Sequence, residues 1–68
     1  MTEEYDILNL LLRHKDQNLT LKKLLVLSLE LPDVVADKLC EHIGRHPSVK
    51  IEYLDLKEIA QEVEEFYK

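Results

Sequence analysis

The sequence contains few residues that would interrupt or cross-link a helical chain. Of its 68 residues, one is glycine, two are proline and one is cysteine. A single cysteine, Cys40, excludes an internal disulfide, and the scarcity of glycine and proline favours helices, which these residues interrupt. Fourteen residues are leucine, which propagates helices well. The composition therefore predicts an all-α fold.

Long apolar runs and targeting signals are also missing. No apolar run approaches the roughly 18 residues that a membrane-spanning helix requires. The first residues, MTEEYD, lack the basic region and the cleavage site of a secretory signal. A lone thiol is typical of a reducing compartment, where disulfides are rare. We therefore expect a cytoplasmic protein that does not bind to a membrane.

Basic residues are outnumbered, because fourteen acidic residues face nine basic ones and the net charge is -5. Nucleic-acid binding usually requires a basic face that neutralises phosphates. Nucleic acid is therefore not the expected partner.

The short length of the chain limits the size of its core and of any internal pocket. A chain of this size forms a single domain, residues 1–68, and folding buries only about 60% of the surface that the unfolded chain exposes. This leaves little room for a pocket that would perturb a catalytic group. We predict no enzymatic activity, no catalytic residue and no cofactor.

The apolar residues recur at helical spacing in four segments, which predicts a small bundle of four short helices. Thr20 is expected to cap the second helix, and Gly44 to end the third. Asp55 and Glu58 have the spacing of a capping box at the start of the fourth. The predicted helices span residues 3–15, 20–30, 32–44 and 55–67, with a short extended segment near 48–54.

The stretch from Val26 to Leu31 allows a second interpretation, because its apolar residues also alternate as in a strand. If this stretch and residues 49–54 were both strands, the chain would be α/β, with a βαβ unit from 25–54. Two parallel strands make an inadequate sheet, so this alternative requires a larger assembly. Val26 is the only β-branched residue between Leu21 and Leu31, which favours a helix.

Two surfaces are candidates for binding a partner. The second helix has too many apolar residues for all of them to face one small core, and the last helix has an acidic face that suits a basic patch on another protein. We therefore predict a protein–protein interaction module that acts as a regulator, inhibitor or adaptor and forms a homodimer, the commonest oligomer. The predicted partner-binding residues are Val26, Leu27, Leu29, Glu58, Glu62 and Glu65.

The segment Thr20–Leu39, TLKKLLVLSLELPDVVADKL, resembles the helix-turn-helix family in outline. It departs from the family in its turn, where Leu29, Glu30 and Leu31 replace the usual glycine, apolar residue and capping Ser or Thr. The resemblance implies the alternative function, a degenerate helix-turn-helix DNA-binding transcription regulator. Its second helix carries three acidic residues that would oppose phosphates. The few basic residues available for DNA are Lys22, Lys23, Lys38, His42 and Arg45.

Cys40, His42 and His46 have donor types that zinc prefers. Gly44 and Pro47, however, are expected to end the third helix between the two histidines. Cys40 lies on the apolar stripe of this helix, whereas His42 does not, so the three side chains need not converge. A reactive thiol also needs an electropositive, accessible setting. The sequence therefore predicts a buried structural cysteine with two surface histidines, and no metal site.

Overall fold

The computed structural model describes residues 3–14 and 18–67, and the side chains among them from Asp6 onward. Four helices are present in this part of the chain, which confirms the all-α prediction. The predicted end of the first helix, Lys15, lies outside the described residues. The helices are α1 (Glu3–Arg13), α2 (Leu21–Leu29), α3 (Asp33–Ile43) and α4 (Leu56–Phe66), and a short 3-10 turn, Tyr53–Asp55, precedes α4.

The four helices pack in a ring around one apolar core. Helix α1 packs against α2 and α4, and α3 packs against the same two helices. No Cα pair of α2 and α4 among the described residues lies within 8 Å, so these two helices are diagonal across the bundle. None of the described helices is long and apolar enough to cross a membrane. The largest fully buried side chains are Leu11, Leu21, Leu24, Leu25, Leu39, Cys40, Ile59 and Val63.

The α/β alternative is wrong, because residues 21–29 form a helix and the described residues contain no strand. The Thr20 hydroxyl accepts a hydrogen bond from the Lys23 N–H at 3.3 Å, which is the predicted N-cap. The buried residues of α2 recur at helical spacing rather than in alternation. They are Leu21, Leu24, Leu25 and Ser28.

The extended segment is shorter than predicted. An isolated antiparallel bridge joins Thr20 to Lys50, and the 3-10 turn that begins at Tyr53 ends the extended backbone. Of the apolar residues that alternate in the sequence, Ile51 is buried, whereas Val49 and Tyr53 are exposed. The segment is thus a short extended stretch that pairs with the residue before α2 through one bridge.

The turn between α2 and α3 has an unusual backbone. Glu30 adopts the left-handed conformation, with φ 56° and ψ 45°, and it is the only described residue other than glycine with positive φ. Pro32, the first residue of the predicted third helix, lies just before α3, with φ -64°. At the other end of α3, Gly44 has φ 85° and its N–H contacts the carbonyls of Cys40 and Glu41, as a C-cap should.

The predicted capping box at the start of α4 is wrong. Asp55 lies in the 3-10 turn with helical backbone angles, and its side chain makes no capping hydrogen bond. Its carboxylate instead lies 3.3 Å from the Arg45 guanidinium, a charged partner that the local sequence pattern does not reveal.

Replacing Glu30 by glycine should stabilise the protein relative to the matched Glu30→Ala variant. Both substitutions remove the same charge, but only alanine keeps a Cβ that disfavours the left-handed conformation. We expect Glu30→Gly to have the higher free energy of unfolding, by about 1 kcal/mol. Urea denaturation followed by circular dichroism measures the difference. Equal stability of the two variants would show that residue 30 is not left-handed in solution.

Removing the Thr20 hydroxyl should weaken the start of α2. Thr20→Ala leaves the Lys23 N–H without its side-chain acceptor, so we expect the free energy of unfolding to fall by about 1 kcal/mol. Thr20→Ser keeps the acceptor and serves as the control. Urea midpoints at constant m-value report both changes. A loss as large in Thr20→Ser as in Thr20→Ala would contradict a capping role.

Candidate partner-binding site

The predicted apolar surface is only partly available on α2. The Leu27 side chain is 49% exposed, whereas Leu25 is completely buried. Val26 and Leu29 are half-buried, and Leu29 packs against the core. Helix α2 therefore resolves its excess of leucine by burying most of these side chains and leaving Leu27 at the surface.

Val34, just after the turn, is a second exposed apolar side chain that was not predicted from the sequence. Its side chain is 62% exposed at the start of α3, so Leu27 and Val34 flank the same turn. Glu30 and Asp33, which lie between them in the chain, are also exposed. We call these four residues the hairpin surface. Val34 comes before the buried apolar residues of α3 and does not share their helical spacing. This position in the sequence could have indicated that its side chain is exposed.

The predicted acidic surface of α4 is partly occupied by basic side chains of the same chain. The Glu58 carboxylate lies 3.1 Å from the Arg45 guanidinium, which also contacts Asp55. The Glu62 carboxylate lies 3.6 Å from His42 Nε2. Glu65 is exposed, and no described Lys, Arg or His lies within 4.0 Å of it. Of the three predicted glutamates, Glu65 alone has a carboxylate that no described Lys, Arg or His contacts.

The structure does not bring the two predicted surfaces together. Val26, Leu27 and Leu29 lie on α2, whereas the three glutamates lie on α4, and these helices are diagonal across the bundle. One flat partner surface cannot contact the exposed faces of two diagonal helices. The two sets of residues are therefore two separate candidate surfaces.

The basic residues proposed for DNA readout are mostly paired with carboxylates. Lys22 Nζ lies 3.1 Å from the Asp37 carboxylate, and this hydrogen bond raises the pKa of Lys22 above its ordinary value. Arg45 and His42 have the acidic neighbours described above. Lys23 and Lys38 are exposed and have no carboxylate within 4.0 Å among the described residues. Three of the five basic residues thus have an acidic neighbour, which opposes their attraction to phosphates.

Cys40 has no histidine partner in the described structure. Its side chain is completely buried, and burial raises the pKa of the thiol, with the nearby Asp37 charge adding to the effect. His46 Nδ1 accepts a hydrogen bond from the Ser48 N–H at 3.0 Å. The thiol thus has the apolar, inaccessible setting of a structural cysteine.

Comparison with protein-family models, with curated proteins and with solved structures gave no match. The functional argument therefore rests on the geometry and charge of this chain.

The burial of Cys40 predicts slow reaction with a thiol reagent. Because the thiolate is the reactive form, a raised pKa and an inaccessible sulfur both slow the reaction in the folded protein. We expect the colour reaction with dithionitrobenzoate at pH 8 to be much slower in buffer than in denaturing guanidinium. A short unstructured peptide containing one cysteine, whose rate guanidinium should change little, is the control. Equal rates for the folded and unfolded chain would place Cys40 at the surface.

Proposed function

We propose that this chain is a protein-interaction module that binds another protein through the hairpin surface. The observation that carries the proposal is the pair of apolar side chains, Leu27 and Val34, exposed on either side of one turn with Glu30 and Asp33 between them in the chain. The partner would present apolar side chains accompanied by Lys or Arg. The proposed role is that of a regulator, inhibitor or adaptor, because this role requires a binding surface and no catalytic group.

The shape of the turn supports this role. The connection between α2 and α3 is three residues long, and Lys22 and Asp37 form an ion pair between the two helices. Leu27 and Val34 are therefore held on short, packed elements rather than on a long loop. A surface that is ordered before binding loses less conformational entropy when the partner docks.

Charge favours a different protein over a second copy of this chain. In a two-fold homodimer through the hairpin surface, the same patch meets itself, so Glu30 and Asp33 would be brought toward their own copies. Like charges at an interface oppose association, whereas a basic partner would be attracted at long range. Self-association, predicted from the sequence, remains a prediction, and we favour a basic partner for this surface.

The DNA-binding alternative gains less support. The two helices and their short turn have a helix-turn-helix outline, but Asp33, Asp37 and Glu41 are all exposed on α3. These carboxylates would oppose the phosphates that DNA binding must neutralise.

The proposed setting is the cytoplasm, where a single thiol such as Cys40 stays reduced.

Capture experiments with matched variants test the hairpin surface. The immobilised chain and its Leu27→Ser and Val34→Ser variants would be exposed to a nuclease-treated lysate of the source organism. We expect a protein that binds the unmodified chain at low salt and is lost with both variants, because each removes half of the apolar contact. Mass spectrometry of the bound fraction provides the measurement. Circular dichroism confirms that each variant is folded.

Leu54→Ser is the matched control. Leu54 is 89% exposed in the 3-10 turn before α4, so the substitution removes a leucine that is more exposed than Leu27 and lies outside the hairpin surface. The proposal requires Leu54→Ser to keep the captured protein. It is overturned if all variants bind the same proteins, or if only nucleic acid from an untreated lysate is recovered and high salt releases it. Sedimentation of the isolated chain separately reports a homodimer.

A further inference from the structure

Three metal-ligating side chains from two helices converge beside the end of α3. They are His42 on α3 and Glu62 and Glu65 on α4, and their donor atoms all lie within 4.8 Å of one another. His42 Nε2 and Glu62 Oε1 are 3.6 Å apart. We propose that this group binds a divalent transition metal ion, with Zn²⁺ as the best-fitting ion. This inference is independent of the proposed protein-binding function.

The fold holds the three donors in place. Glu62 and Glu65 are three residues apart on α4, so both project from the same side of the helix. His42 lies in the last turn of α3, which packs against α4. The Phe66 ring meets the His42 ring edge-to-face, with centroids 5.6 Å apart and planes at 65°. The imidazole is therefore positioned by an aromatic contact on one side while Nε2 lies near Glu62.

The distances suit zinc after small side-chain movements. Zinc binds imidazole nitrogen and carboxylate oxygen at about 2.0–2.2 Å in tetrahedral geometry, which places neighbouring donors roughly 3.4 Å apart. The separation of His42 and Glu62 is close to this value, and the remaining separations do not exceed 4.8 Å. Rotation about the side-chain bonds of exposed Glu65 can close the difference without backbone movement. Water would occupy the fourth position, as in zinc sites with three protein ligands.

Charge adds a second reason to expect a cation here. Two carboxylates face one imidazole, which carries no charge in its metal-binding form. Glu58, one turn earlier, has Arg45 beside it, but no described Lys, Arg or His lies within 4.0 Å of Glu65. A divalent ion would relieve the repulsion between the Glu62 and Glu65 carboxylates. The imidazole also distinguishes this group from an ordinary acidic surface, since nitrogen donors select zinc over magnesium or calcium.

Titration with zinc chloride at pH 7.5 tests the site directly. We expect calorimetry to give one ion per chain and the amide signals of a ¹⁵N-labelled sample to shift at the ends of α3 and α4. Because the ligands come from two helices, the ion should bind the folded state preferentially and raise the melting temperature. A chelator should reverse this rise. Magnesium chloride at the same concentration should produce neither effect, because Mg²⁺ prefers an all-oxygen set of ligands.

Variants then assign the ligands. Glu65→Gln and His42→Gln should each weaken zinc binding by about tenfold or more, an effect at least as large as the loss of an outer-shell partner. Glu41→Gln is the matched control, because Glu41 is an exposed carboxylate next to His42 in the chain that is not part of the group. It should leave the affinity within about twofold of the unmodified value, since the lost charge is exposed to solvent, screened by salt and not a ligand.

Four results would overturn the proposed zinc site. Absence of saturable binding at one ion per chain would do so, as would unchanged affinity in Glu65→Gln and His42→Gln. An equal response to magnesium would show general attraction of cations to acidic residues. Amide shifts confined to the surroundings of His14 or His46 would place the ion elsewhere. Circular dichroism of the variants without metal separates ligand loss from unfolding.

Discussion

The bundle depends on the contact between the start of α2 and residues 47–51. The first N–H groups of a helix have no acceptor within the helix and must find one elsewhere. Here the Leu21 N–H donates to the Val49 carbonyl at 2.8 Å, and the Lys22 N–H donates to the Pro47 carbonyl at 3.1 Å. The Ile51 N–H returns a bond to the Leu19 carbonyl at 3.2 Å. The chain that leaves α3 thus supplies the acceptors that α2 lacks, and this contact directs it to the side of the bundle where α4 begins.

Two ion pairs connect the segment after α3 to the start of α4. Arg45, just after α3, lies 3.3 Å from the Asp55 carboxylate and 3.1 Å from the Glu58 carboxylate at the start of the last helix. Half-exposed ion pairs contribute at most about 1 kcal/mol each, so they do not hold the bundle together. That stability comes from the apolar core, to which all four helices contribute. The polar contacts join the segment after α3 to the start of α2 and to the start of α4.

The sequence predicts those parts of the fold that depend on local pattern. Helix α3 could be predicted because its buried residues recur at helical spacing and Gly44 supplies the left-handed residue at its end. Helix α2 was ambiguous because the apolar residues from Val26 to Leu31 also alternate, and the carbonyls that complete its first turn come from a segment at least 25 residues away. The left-handed Glu30 carries no signal, since glutamate has no preference for that conformation. Asp55 failed as a cap because a distant arginine competes for its carboxylate.

The difference between local pattern and contacts of distant segments also explains what could be predicted of the candidate sites. An excess of leucine in α2 predicted that part of it would reach the surface, and Leu27 does. The sequence could not show that α2 and α4 are diagonal, so it joined two surfaces that the fold separates. It also could not show that His42 faces Glu62, because their proximity depends on how α3 packs against α4.

The arrangement of charge follows from these contacts and separates the two proposed sites. Asp37, Asp55 and Glu58 contact cations of the same chain, so the negative charge of these carboxylates is compensated locally. The carboxylates without such a contact in the described structure include Glu30 and Asp33 before and at the start of α3, and Glu65 beside its end. A rise of about 1.5 Å per residue places the two ends of α3 roughly 12–15 Å apart. Among these carboxylates, Glu30 and Asp33 thus lie at an end with exposed apolar side chains, which suits a protein, and Glu65 lies at an end with an imidazole, which suits a metal ion.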